Sequence, residues 1–237
     1  MSYGKNGPQG AVVTKSITGA PWTGQENPYP IISGYDNNIF KGDLVGIKAL
    51  VDPSTGLQAN VLVNYWDLVT GQNPANETIV AVGFFNGCDY VSQDQTQIGN
   101  ALPGRSFWPA GTITQGNQPA TAYVIDDPNA VVNIQVGGTT ATGINSTAAT
   151  AAMAGKLIAV NYLTDPANPA LVLGNFSNGM SLMFADATQV GQPGGGAYRP
   201  LMIQRLVAAE NNEWGIPFNN VECVIANHLY RLSSLGL

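Results

Sequence analysis

Gly83-Phe-Phe-Asn-Gly-Cys-Asp-Tyr90, Ser106-Phe-Trp-Pro-Ala-Gly-Thr112, Ala122-Tyr-Val-Ile-Asp-Asp-Pro-Asn129 and Val131-Val-Asn-Ile-Gln135 follow one another within about fifty residues. Aromatic and β-branched residues come in short runs, and Gly, Pro, Asn and Asp separate them. That pattern writes successive antiparallel strands. The same stretch supplies many side chains for packing and few for chemistry.

Working outward, Gly42 to Val51 reads as a strand closed by the Asp52-Pro-Ser-Thr-Gly56 turn, and Val61 to Trp66 as another. Thr78 to Phe85, Cys88 to Val91, Gly111 to Thr114, Thr121 to Ile125 and Val131 to Val136 continue the series. Lys156 to Tyr162, Leu171 to Leu173, Ser181 to Ala185, Arg199 to Val207 and Val221 to Ala226 complete it. Short segments with turn signals between them predict a mainly β chain, an antiparallel barrel or sandwich. One short helix is expected over about 146–154, with Asn145 or Ser146 as its cap and Gly155 as its stop. Barely three turns long, it needs close packing to survive.

Residues 1–30 differ in character from the rest of the chain. Pro21, Pro28 and Pro30 keep the backbone extended, and Trp22 and Tyr29 stand in polar surroundings. The reading is an extended N-terminal arm (1–30) on a single β-rich body (31–237). The two aromatics would anchor the arm on that body or on a neighbour. Val63-Asn-Tyr65 and Val160-Asn-Tyr162 each precede a Pro-Ala-Asn turn, an internal echo that either a duplicated unit or shared turn chemistry would give. Gly191-Gln-Pro-Gly-Gly-Gly196 reads as a loop excursion.

Composition narrows the function. Charged residues make up 10% of the 237, against about 25% in ordinary domains, while hydrophobic residues reach 44%. Uncharged polar residues meet a partner without the desolvation penalty of unpaired ions. The net charge of −6 and nine scattered Lys and Arg argue against a nucleic-acid partner, which needs clustered cations. No apolar run approaches the ~20 residues of a membrane helix. The N-terminus has no apolar signal core, so a soluble chain made in the cytosol is expected.

Candidates for chemistry are few. His228 is the single histidine, and a Ser/His/Asp or Cys/His scheme would have to use it. Cys88 and Cys223 are expected as buried thiols, with a late disulfide as the alternative. Asp126-Asp127 is the one adjacent carboxylate pair and reads as a turn with Pro128; calcium is the alternative reading. Asp186, Glu210 and Glu213 are carboxylates that a glycosidase would need to bring face to face. Gly194-Gly-Gly196 lacks the Lys-Ser/Thr of a phosphate loop. Trp66, Trp108 and Trp214 either stack on sugars or pack in a core or interface. Asn76, Asn145 and Asn175 match the glycosylation triplet, as chance allows in so polar a chain. No catalytic residue, cofactor or metal is expected, and the chain reads as a non-enzyme.

Six further segments matter as an ordered set. They are Gly19-Ala-Pro-Trp-Thr-Gly-Gln-Glu-Asn-Pro-Tyr-Pro-Ile31, Gly42-Asp-Leu-Val45, Val82-Gly-Phe-Phe-Asn-Gly-Cys88, Trp108-Pro-Ala110, Ala122 to Pro128 with Val132-Asn-Ile-Gln135, and Ile225-Ala-Asn-His-Leu-Tyr230. In this order they resemble the tailed-bacteriophage structural proteins that serve as capsid decoration or cement proteins. Residues 137–196 carry less of the likeness. The resemblance implies a virion component on the outer capsid surface, bound between capsomers. It implies the major capsid protein and further copies of itself, often as a homotrimer, as partners, and Trp22 and Tyr29 as candidate interface residues. A virion-surface carbohydrate-binding or host-attachment module is the alternative.

Overall fold

The computed structural model describes residues 9–69, 80–93, 101–140, 143–165, 167–191 and 199–232. Asn76, the Pro74-Ala-Asn turn and most of the Gly191–Gly196 loop lie outside the described residues.

Strands β1 (Val12–Ser16), β2 (Asn27–Ile31), β3 (Ile39–Phe40), β4 (Leu44–Val51) and β5 (Gln58–Asn64) lead into a single helical turn, α1 (Tyr65–Val69). Then come β6 (Ala81–Val91), β7 (Ala101–Arg105), β8 (Phe107–Trp108) and β9 (Ala120–Ile125). The second half contains β10 (Ala130–Thr140), β11 (Gly143–Asn145), β12 (Leu157–Asn161), β13 (Thr164–Asp165) and β14 (Asn168–Val172). It ends with β15 (Gly174–Asn175), β16 (Met180–Ser181), β17 (Phe184–Gly191), β18 (Leu201–Leu206), β19 (Asn220–Ile225) and α2 (Leu229–Leu232).

Two curved sheets share one core. In the first, the order is β2–β9–β6–β4–β5, and β7 pairs with the far end of β6. All of its pairings are antiparallel. It curls until β2 and β5 come into contact, forming a half-barrel. In the second, β10 pairs with β17, β17 with β12, β12 with β18, β18 with β19, and β19 with β10 again. This circuit is a closed five-stranded barrel, in which only the β10–β17 step is parallel. Closure removes the exposed edges that make open sheets sticky.

Residues of β6 and its neighbours explain the packing. β6 is buried on both faces along most of its length, as a near-continuous apolar run predicts. Gly83 lets β9 approach: a Cβ there would meet the Ile125 carbonyl oxygen at 2.2 Å. At Gly87 the β6–β9 register shifts by a bulge, and a Cβ would sit 2.7 Å from the Arg105 carbonyl oxygen. Phe84, Phe85 and Trp108 are fully buried, and Phe107 half-buried.

Three expectations change in detail. The described part of the expected arm, residues 9–30, is largely extended, but it is woven into the body. β1 pairs with β10 in the barrel, and β2 pairs with β9 along five residues of the half-barrel. The helix expected at 146–154 narrows to one 3-10 turn, Ala151–Met153. Asn219 and Gly215 occupy the backbone groups of the buried Ala149, so no helical ladder forms there. Gly111–Thr114 is a turn with a single bridge between Thr114 and Ser92, not a strand.

Candidate interaction surface

Placed in the fold, the candidates for chemistry disperse. Cys88 lies on β6 and Cys223 on β19, both buried and free of a disulfide. Burial pushes the Cys88 thiol up to about 12 and raises that of Cys223 as well, so neither is a ready nucleophile. His228 is fully buried, and its Nδ1 accepts the Tyr230 N–H at 3.1 Å. Asp186 is buried in a local cluster. It accepts the Thr188 N–H and hydroxyl, at 2.9 and 2.6 Å, and the Asn161 amide at 3.3 Å. Glu210 and Glu213 are exposed. Among the described residues, no three His, Cys, Asp or Glu side chains group as metal ligands.

Asp126-Asp127 is a turn. Asp127 Oδ1 accepts the Asn129 N–H at 2.8 Å, and the Asp127 carbonyl accepts the Ala130 N–H. Asp126 points inward and takes Asn27 Nδ2 at 2.8 Å and the Tyr29 hydroxyl at 2.6 Å. Tyr29 also shares a hydrogen bond of 2.6 Å with the Tyr230 hydroxyl. Burial first, then the bond to Asp126, raises the Tyr29 phenol well above its usual range. The Tyr29 hydroxyl is therefore engaged within its own chain. Trp22 is half-buried beside β1, where its backbone N–H donates to the Thr14 carbonyl at 3.2 Å. The structure does not gather the two aromatics into one site: Trp22 sits by the barrel and Tyr29 on the half-barrel.

Where the half-barrel meets the barrel, a buried polar junction forms that sequence reasoning missed. Asp43 Oδ2 accepts the Phe40 N–H at 2.8 Å and Asn64 Nδ2 at 2.9 Å, and Oδ1 accepts the Ser181 hydroxyl. The Tyr162 hydroxyl donates to the Leu44 carbonyl at 3.2 Å. Asn38 Nδ2 donates to the Val172 carbonyl at 2.7 Å, and Asn37 Oδ1 accepts the Val172 N–H at 2.9 Å. Tyr35 and Asn37 both donate to Asp67. Burial raises Asp43 to about 7 despite its three donors. Asn64 and Asn161, the central residues of the two echoed Val-Asn-Tyr motifs, each donate to a buried aspartate, Asp43 and Asp186. The junction ties the half-barrel to the β13–β14 and β15–β16 hairpins and, through Tyr162 at the end of β12, to the barrel; its groups face one another rather than solvent.

The outward-facing feature is the β4–β5 hairpin. β4 pairs with β6 only over Leu44–Gly46, while β4 and β5 pair with each other out to Val51 and Gln58. Leu50 and Ala59 still pack on the core; beyond them the tip projects. Val51 and Leu57 are 57% and 70% exposed, the two largest exposures among the large hydrophobic side chains described. Asp52 stiffens the turn, its Oδ1 accepting the Ser54 N–H at 2.8 Å and its carbonyl the Gly56 N–H at 2.7 Å. From Ala49 to Asn60, Asp52 is the one charged residue.

Of the three tryptophans considered for sugar stacking, Trp108 is fully buried and Trp66 and Trp214 pack against the core. No helix among the described residues is long and apolar enough to cross a membrane. Comparison with protein families, with curated proteins and with solved structures found no match.

Proposed function

We propose that this chain is a non-enzymatic virion structural protein of the cement or decoration type. It binds the outer capsid surface between capsomers, against the major capsid protein and further copies of itself, most simply as a homotrimer. The observation that carries the reading is the β4–β5 hairpin. It is a stiff, nearly uncharged projection that holds Val51 and Leu57 in water, and such a tip gains free energy when a neighbour covers it. The dispersal of the titratable groups and the low charge of the chain agree with it, as does the ordered resemblance of its segments to phage cement proteins.

The mechanism is linkage. A subunit bound across a capsomer junction adds contact area to the intact shell alone, so it stabilises that state according to affinity and occupancy. Repeated copies raise avidity beyond that of one contact. Because β1 and β2 are built into the body, the lattice contact is assigned to the hairpin, and Trp22 remains a secondary candidate.

The test is co-sedimentation of the purified chain with phage shells lacking it, with a Val51→Asp/Leu57→Asp variant alongside. Saturable binding by the wild type and at least tenfold weaker binding by a folded variant are expected. Equal binding by the two defeats the hairpin assignment, and no binding to shells by the wild type defeats the function. The alternative, a carbohydrate-binding or attachment module, would need exposed tryptophan faces. The burial of Trp108 and the packing of Trp66 and Trp214 leave it without a supporting observation.

A further inference from the structure

We propose that a cleft beside β8 binds a carboxylate carried on an apolar body, a ligand class independent of the shell reading. The cleft measures about 480 Å³, within the usual range of small-ligand sites, and lies between the end of β6, β7 and the turn after β8. Phe107, Pro109, Ala110 and Ile113 line its apolar side, with Ile113 44% exposed at the rim. Tyr90 and Arg105 supply its polar side.

The donors in this cleft decide the ligand. Two of the chain's cationic groups, Lys15 and Arg205, share an ion pair with Glu222 at 2.7 Å each. The Arg105 side chain has no ion pair or hydrogen bond among the described residues. The Tyr90 hydroxyl likewise has no partner among them, while its ring is fixed edge-on to the buried Trp108, at a centroid distance of 5.1 Å. Among the described residues, the acid beside Tyr90 in sequence, Asp89, is already engaged: it accepts the Gly104 N–H and the Tyr123 hydroxyl, the latter at 2.7 Å. Adjacent strand residues face opposite ways, so Asp89 does not share the Tyr90 side. A guanidinium fork and one phenol O–H match the two oxygens of a single carboxylate. One cation without a nest of backbone donors is a poor match for a phosphate dianion. The apolar wall takes the body that carries the acid. That body is either a small free acid or the end of a polypeptide.

The experiment is a titration of the full chain with 4-phenylbutyrate, followed by the Arg105 side-chain NH resonance and by calorimetry. 4-Phenylbutanol and inorganic phosphate serve as controls. Saturable binding to the acid is expected, at least tenfold tighter than to the alcohol or to phosphate. Arg105→Gln should weaken it at least tenfold and Tyr90→Phe several-fold, with both variants unfolding at the wild-type temperature. A second arm compares acetyl-Ala-Ala-Phe with its C-terminal amide. Tighter binding of the free-acid peptide than of phenylbutyrate identifies a chain terminus as the source, and the reverse order identifies a small acid. No binding of either acid, equal binding of the alcohol, or undiminished binding in Arg105→Gln would overturn the proposal.

Discussion

The Ser181 hydroxyl donates to the carboxyl group of Asp43 across 138 residues of sequence, joining β16 to the start of β4 inside the core. This contact lies in the buried polar junction beside the half-barrel, and its strength depends on the protonation state of a fully buried acid.

That dependence gives the first prediction. Asp43 titrates near 7 in the fold, against an ordinary value of 3.8. A folded-state pKa above the unfolded one means that the folded chain binds more protons. The contribution is complete below about pH 4 and is lost as pH rises through 7. Stability should fall by about 3 kcal/mol between pH 5 and pH 8, a drop of about 6–12 °C in the unfolding midpoint. Asp43→Asn, which mimics the neutral acid, should flatten most of this slope. Asp67, raised by burial against the pull of Tyr35 and Asn37, leaves a smaller slope of the same sign. Calorimetry across that range checks it, and an unchanged slope in the variant would refute it.

Glu222 links three strands of the barrel's outer face, receiving Lys15 of β1 and Arg205 of β18 at 2.7 Å each. Burial works to raise its pKa, but hydrogen bonds from Arg205 and Lys15 outweigh it and the net shift is downward. This contribution is present above the ordinary carboxylate range and fades as pH falls through it. Glu222→Gln should cost about 1 kcal/mol at pH 7, or about 3 °C, because Arg205 is largely exposed and solvent screens the pair. Salt at 1 M should remove part of the difference, as thermal melts of both proteins would show.

Gly83 carries the tightest approach between β6 and β9. Adding one methyl group, as in Gly83→Ala, drives it into the Ile125 carbonyl, a backbone atom that cannot turn aside. A loss of more than about 3 kcal/mol is expected, visible as a lower denaturant midpoint or loss of soluble protein. Gly83→Ala with wild-type stability would contradict the close crossing.

Removing residues 1–30 should unfold the body rather than free it of an arm. The deletion takes β1 from β10 and β2 from β9, and it leaves Asp126 without Asn27 and Tyr29. Circular dichroism and a thermal melt of the truncated chain check this; a cooperative transition near the wild-type temperature would show that the two strands are dispensable.

How far the residues announced this structure depends on the range of each interaction. The strands around Phe84, Val124 and Val132 were legible because alternation and turn residues act locally. So were the Asp126–Asn129 turn and the burial of Cys88 and Cys223. Ala149 misled because its short Ala-rich surroundings favour a helix, while its actual partner, Asn219, lies 70 residues away. Whether Tyr29 would anchor on its own body or on a neighbour stayed open for the same reason: Asp126 and Tyr230, which engage its hydroxyl, are 97 and 201 residues distant. The Asp43 junction carries no local pattern at all; Gly42-Asp-Leu-Val45 reads as an ordinary strand start until Asn64 and Ser181 are brought beside it. The hairpin tip was half visible, since Asp52-Pro-Ser-Thr-Gly56 marks the turn but nothing in it says that the turn stands clear of the body.

On the proposed reading, this chain works by lying against a viral lattice with its β4–β5 hairpin at the contact. The most direct measurement is an electron-microscopy map of phage particles carrying the protein, at a resolution that traces strands. Density for the two-sheet body on the outer shell between capsomers, with Val51 and Leu57 covered by a neighbouring subunit, is the predicted result. A particle without that density, or a bound chain whose hairpin points into open solvent, would contradict it.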